Sequence, residues 1–177
     1  MDTRLFVGVS NDASSRLGKM TAAFTQAHDR GPYVVRGHPA THAFLAVRHP
    51  DGCWWRLDGR APVATWAPQL FPWDPSNVGL WEILGTEDDL RKGLLHVLGL
   101  KPPTYDPVEL VMQMVDALAS NDGLPHARIC TSLALDGLKG CGDHWLQLAL
   151  GLKNFRPETL ARTLTTHETD FWCRREV

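Results

Sequence analysis

Three residues of the chain are of the types that make a nucleophile, its base and an orienting carboxylate: Cys130, His42 and Asp58. Cys130 follows an extended, loop-rich stretch (Asp122-Gly123-Leu124-Pro125-His126-Ala127-Arg128-Ile129) and precedes Thr131-Ser132-Leu133-Ala134-Leu135, a pattern that predicts a helix beginning near the cysteine. A thiol in that place sits beside unpaired backbone N–H groups and the positive end of the helix dipole, which favours the thiolate. The same N–H groups can hold an oxyanion. The plainer role for such a cysteine is that of a small buried hydrophobe. His42 stands at the start of an alternating segment, where a stiff strand can aim an imidazole, although one half-buried histidine among eight needs no chemistry. Asp58 can fix that imidazole as the third member of a triad does, or serve as an ordinary strand-end carboxylate before Gly59.

A metal site competes for the same thiol. His126, Cys130, Cys141 and His144 give the spacing H-x3-C-x10-C-x2-H, four ligands that zinc accepts, in an order unlike the common zinc fingers. No phosphate-cradling or dinucleotide glycine motif is present, and Gly140-Cys141-Gly142 is too short to be one. His38, His49 and His96 read as loop or helix-surface residues. The triad needs neither a metal nor a cofactor.

The elements that must bring these residues together start with a hairpin. Thr41 to Arg48 alternates, with Thr41, Ala43, Leu45 and Val47 on one face and His42, Phe44, Ala46 and Arg48 on the other. Cys53 to Asp58 alternates likewise. Between them, His49-Pro50-Asp51-Gly52-Cys53 suits a type I turn with Gly52 in the left-handed position, hence a three-residue loop. In that register His49 pairs with Cys53, His42 falls opposite position 60, and even-numbered residues of both strands share a face. Asp58 becomes the diagonal neighbour of His42 across the strands, about 7–8 Å away and within reach once side chains extend. A two-residue loop would send the two to opposite faces.

A Pro- and Trp-rich connection follows (Pro62 to Pro75), then a strand over Val78 to Leu84. Thr86-Glu87-Asp88-Asp89 opens a helix through Leu90, Leu94, Val97 and Leu98 to Gly99. Asp106-Pro107-Val108-Glu109 opens a second, closed by Ser120-Asn121-Asp122-Gly123. A third runs from near Cys130 to Gly140, and Pro157-Glu158-Thr159-Leu160 starts the last before a polar C-terminal stretch. Strands first and helices afterwards predict an α+β fold.

With 177 residues, 44% of them apolar, the chain is expected to form one domain spanning 1–177. A net charge of -2 argues against bulk-charge binding of nucleic acid, and no apolar run reaches the roughly 18 residues of a membrane span. Met1 to Val7 lacks a charged-then-apolar export layout, so a cytoplasmic location and reduced thiols at 53, 130, 141 and 173 are expected. The seven tryptophans, among them Trp54, Trp55, Trp66, Trp73 and Trp81, fit a bulky core or an apolar channel.

In their order along the chain these segments resemble the permuted NlpC/P60 papain-like families of bacterial and phage proteins, in which the catalytic His precedes the Cys. Ser14-Ser15-Arg16-Leu17-Gly18-Lys19-Met20-Thr21 is similar to the early segment, and Thr41-His42-Ala43-Phe44-Leu45-Ala46-Val47 to the His strand. Trp55-Arg56-Leu57-Asp58-Gly59-Arg60-Ala61-Pro62-Val63 is similar to the strand carrying an acidic residue, often Glu. Pro103-Thr104-Tyr105-Asp106 resembles a Tyr-Asp motif, Ile129-Cys130-Thr131-Ser132-Leu133 the Cys motif, and Arg156-Pro157-Glu158-Thr159-Leu160-Ala161 the closing helix start. The family's Ser-Glu after the cysteine is Thr131-Ser132 here.

The resemblance implies a papain-like fold, a small antiparallel sheet or barrel packed on helices. It also implies a cysteine peptidase or amidase acting on cell-wall peptides or related amides, with Cys130, His42 and Asp58 catalytic and Tyr105 and Thr131 at the substrate. A phage particle or lysis would carry such an enzyme to a wall. Acyl transfer or thioester chemistry on lipids, and a catalytically silent module keeping the fold, are the alternatives. The implied partner is a peptide or acyl substrate, with no nucleic acid and no stable membrane insertion.

Overall fold

Leu5-Phe6-Val7-Gly8-Val9 is an unbroken apolar run, the pattern of a strand covered on both faces. In the computed structural model it is the centre of a sheet. The structure describes residues 3–11, 19, 34–35, 38–59, 65–69, 78–99, 104–105, 127–128, 130–142, 145, 156–166 and 172–175. Within them the strands are β1 (Arg4–Ser10), β2 (Val34–Val35), β3 (His38–Pro39), β4 (His42–Arg48), β5 (Trp54–Asp58), β6 (Thr65–Gln69), β7 (Val78–Ile83), β8 (Thr104–Tyr105), β9 (Ala127–Arg128) and β10 (Trp172–Arg175). The helices are α1 (Glu87–Gly99), α2 (Cys130–Lys139) and α3 (Pro157–Thr166).

Six strands form one antiparallel sheet in the order β10-β7-β1-β4-β5-β6. The architecture is therefore α+β, as the succession of patterns predicts. The sequence pattern missed three of the six sheet strands, along with the two-residue β2, β3, β8 and β9. β1 has its residues from Leu5 to Ser10 buried, so it lacks the alternation that marks a half-exposed strand. β6 lies in the connection read as Pro- and Trp-rich, and β10 in the stretch read as a polar tail. The helix expected from position 106 to 120 lies outside the described residues.

The two faces of the sheet carry separate apolar clusters, sorted by the strand period of two. Leu5, Val7 and Val9 of β1, Ala43, Leu45 and Val47 of β4, Leu57 of β5, and Trp81 and Ile83 of β7 pack with Leu133, Leu135 and Leu138 of α2 and Leu160 and Leu164 of α3. On the other face lie Phe6, Phe44, Ala46, Trp54, Val78 and Leu80. Trp54 and Trp81 are thus core residues, while Trp55 is 43% exposed. Phe44 stands opposite Gly8 across β4 and β1, where a Cβ would overlap its ring.

α1 begins where its sequence says it should. Thr86 accepts the Asp89 N–H at 3.2 Å through Oγ1 and donates to the Asp89 carboxylate at 2.7 Å, which satisfies one of the free donors of the first turn. The acidic residues Glu87, Asp88 and Asp89 complement the positive end of the helix. Among the described residues no helix is long and apolar enough to cross a membrane.

Candidate active site

The β4–β5 hairpin turns through the three-residue loop that its sequence predicts. Gly52 has φ of 89°, the left-handed conformation that a side chain disfavours. Its N–H donates to His49 O at 2.9 Å, and the His49 N–H donates to Cys53 O at 2.8 Å. Asp51 Oδ1 accepts the Cys53 N–H at 2.8 Å and closes the loop. The register follows: Arg48 pairs with Trp54 and Phe44 with Asp58. Asp58 is consequently diagonal to His42, on the same face.

His42 is the first residue of β4 and Asp58 the last of β5. The strand carrying His42 is anchored to β1, where Ser10 O accepts the Thr41 N–H at 3.0 Å and the Thr41 hydroxyl at 3.4 Å. The His42 Nε2 lies 2.7 Å from Asp58 Oδ1. Nε2 being engaged, Nδ1 is the ring nitrogen left for a second partner.

Cys130, the first residue of α2, faces the same imidazole. The sulfur lies within electrostatic reach of the His42 imidazole and the Ala43 backbone N–H, both of which favour the thiolate, and it is 3.8 Å from the Thr131 hydroxyl. α2 comes this close because Gly59, directly after Asp58, has no side chain. A Cβ there would lie 3.1 Å from Cys130 Cα and 3.2 Å from Leu133 Cδ2. One hairpin and a helix distant from it in sequence thus bring thiol, imidazole and carboxylate together.

The electrostatics of the pair run against burial. His42 and Cys130 are 7% and 5% exposed. Burial pulls the imidazolium pKa down, but the Cys130 thiolate and the Asp58 carboxylate outweigh it and raise the value to about 9. Burial likewise pushes the Cys130 thiol up. The charge and hydrogen bond of His42, the Ala43 N–H and the Thr131 hydroxyl overcome that and bring it below the ordinary thiol value. Both directions favour a thiolate–imidazolium pair. α2 has no acidic residue in its first turn, so no carboxylate competes with the thiolate for the positive end of the dipole. The two residues after the cysteine, Thr131 and Ser132, are both uncharged.

The other thiols differ. Burial and the nearby Asp89 carboxylate push Cys141 up to about 12, and its Sγ donates to Gly137 O at 3.6 Å. Cys53 is exposed at the hairpin, and Asp51 raises it. Cys130 and Cys141 also stand at opposite ends of α2, roughly 15 Å apart along a helix rising about 1.5 Å per residue. They cannot ligate one zinc ion, which corrects the four-ligand site; His126 and His144 lie outside the described residues. No group of His, Cys, Asp and Glu among the described residues could hold a metal ion.

Tyr105 and Thr131 were expected at the substrate. The backbone of Tyr105 in β8 pairs in parallel with Arg128 in β9, two residues before Cys130. Thr131 is fully buried with its hydroxyl toward the sulfur, the place of a thiolate donor. Sequence reasoning missed Arg56. Its Nε–H donates to the same Asp58 oxygen at 2.9 Å, and its guanidinium lies 3.7 Å above the Phe44 ring. The signal was its position two residues before Asp58, hence on the same face of the strand.

No protein-family model, curated protein or solved structure matches the chain.

Proposed function

We propose that the chain is a cysteine hydrolase of amide bonds, of the permuted NlpC/P60 papain-like kind, acting on cell-wall peptides or related amides. The observation that carries this is the contact chain from Cys130 through His42 to Asp58, with the thiol lowered and the imidazole raised. The order of the parts along the chain, His strand, acidic strand, then Cys helix, supports the permuted arrangement.

In the first step the Cys130 thiolate attacks the carbonyl carbon of the amide, and the backbone N–H groups opening α2 receive the oxyanion. The His42 imidazolium passes its proton to the leaving amine as the C–N bond breaks, giving a thioester on Cys130. Water then attacks the thioester; His42 takes its proton, the acid leaves, and the thiolate returns. Asp58 holds the ring orientation and balances the imidazolium charge throughout. Thr131 steadies the sulfur. Trp54 and Trp81 are packed in the core and lend no support to an acyl channel.

The test is incubation of the full chain with peptidoglycan stem peptides, products read by mass spectrometry. Cleavage by the wild type and its loss in Cys130→Ala are expected. A wild type that cleaves nothing while labelling rapidly at Cys130 would redirect the search to thioester substrates. Cleavage that persists in Cys130→Ala would overturn the nucleophile.

A further inference from the structure

Arg56 is the charged group behind the triad. It lies on β5 two residues before Asp58 and on the same face, and only 11% of its side chain is exposed. Its Nε sits 2.9 Å from Asp58 Oδ1, the oxygen that also faces His42 Nε2 at 2.7 Å. One carboxylate oxygen is therefore shared between an imidazole and a guanidinium.

The guanidinium is itself packed on an aromatic ring. It lies 3.7 Å from the centroid of Phe44, a ring that is 1% exposed and fitted over Gly8, where no side chain could stand. Phe44 also lies parallel to His42, ring centroids 6.4 Å apart and planes at 22°. Gly8, Phe44, Arg56, Asp58 and His42 thus form one stacked and hydrogen-bonded series running from the centre of the sheet to the nucleophile. Stacking restricts the guanidinium and leaves Nε–H directed along the plane toward the carboxylate.

We propose that Arg56 is a positioning residue of this site: clamped on Phe44, it fixes the Asp58 carboxylate against His42 and offsets part of its negative charge. The proposal rests on the Cys130–His42 pair described above. Offsetting that charge has a definite direction. Asp58 stabilises the imidazolium, and a cation on the same oxygen weakens that pull, so Arg56 makes His42 a better proton donor to a leaving group. The titratable groups acting on His42 are Cys130 from α2 and Asp58 from β5, with Arg56 acting through Asp58.

The experiment is an NMR titration of the His42 imidazole in the full chain, assigned by its loss in His42→Ala, for the wild type, Arg56→Met, Arg56→Gln and Arg56→Lys. The wild type is expected to titrate near pH 9. Both neutral variants are expected to move that midpoint upward by about one pH unit, and Lys, which keeps the charge, to hold it near the wild-type value. Two neutral side chains of different shape keep the test open if one fails to fold. A midpoint unchanged in the neutral variants, or moved equally by Lys, overturns the role of Arg56. A wild-type midpoint near the ordinary 6.5 would instead remove the ion pair beneath the proposed function.

Discussion

The His42 imidazole and the Asp58 carboxylate meet at 2.7 Å from the first residue of one strand and the last of its neighbour, sixteen positions apart in the chain. Their meeting depends on the count of residues in a turn. Pro50, Asp51 and Gly52 set the register that puts both on one face, and a register shifted by one would separate them.

Replacing Asp58 by Asn keeps the shape and removes the charge. A hydrogen bond to a charged group contributes about 1.5–3 kcal/mol. Iodoacetamide labelling of Cys130 at neutral pH is therefore expected to slow about 10- to 100-fold in Asp58→Asn. Cys53, on the hairpin loop, serves as the internal reference and should keep its rate.

The two pKa directions separate labelling from turnover. Labelling needs only the thiolate, so it should reach its plateau at a lower pH than for an ordinary thiol and stay there as pH rises, because the Cys130 value is depressed. Amide cleavage also needs the His42 proton for the leaving amine. Its rate should rise as Cys130 ionises and fall as pH passes through about 9. Two profiles of the same alkaline shape would mean that His42 is not the proton donor.

Gly59 is expected to be intolerant of a side chain. A Cβ would press on Cys130 Cα and Leu133 Cδ2, and overpacking of this kind costs about 1–3 kcal/mol. Gly59→Ala should lower the thermal midpoint and slow Cys130 labelling together, since relief moves α2 away from His42. A loss of stability with labelling unchanged would show that the close approach is structural only.

Thr86→Ala provides the contrast. Removing the cap of α1 should cost about 1 kcal/mol of stability and leave Cys130 labelling unchanged. The comparison separates what the fold needs from what the site needs.

The turn residues, the helix starts at Thr86, Cys130 and Pro157, and the pairing of His42 with Asp58 could all be read from local chemistry. Each rests on neighbours in sequence or on a register that a short loop fixes. β1 could not be read so, because a strand buried on both faces loses its alternation and looks like any apolar run. β10 pairs with β7 through backbone groups, which side-chain pattern does not report. The buried Thr131 hydroxyl lies 3.8 Å from the Cys130 sulfur, a contact that its place next to the cysteine does not report. The place of Arg56 two residues before Asp58 put it on the same face, but its stacking on Phe44 depends on the pairing of two strands, which no local pattern reports.

The decisive measurement is the pH dependence of iodoacetamide labelling resolved by mass spectrometry for Cys53, Cys130 and Cys141, on the wild type and on His42→Ala. Cys130 should label fastest at neutral pH and fall to the level of the other thiols once His42 is removed. Labelling of Cys130 no faster than that of Cys53, and indifferent to His42→Ala, would mean that the imidazole does not activate the thiol.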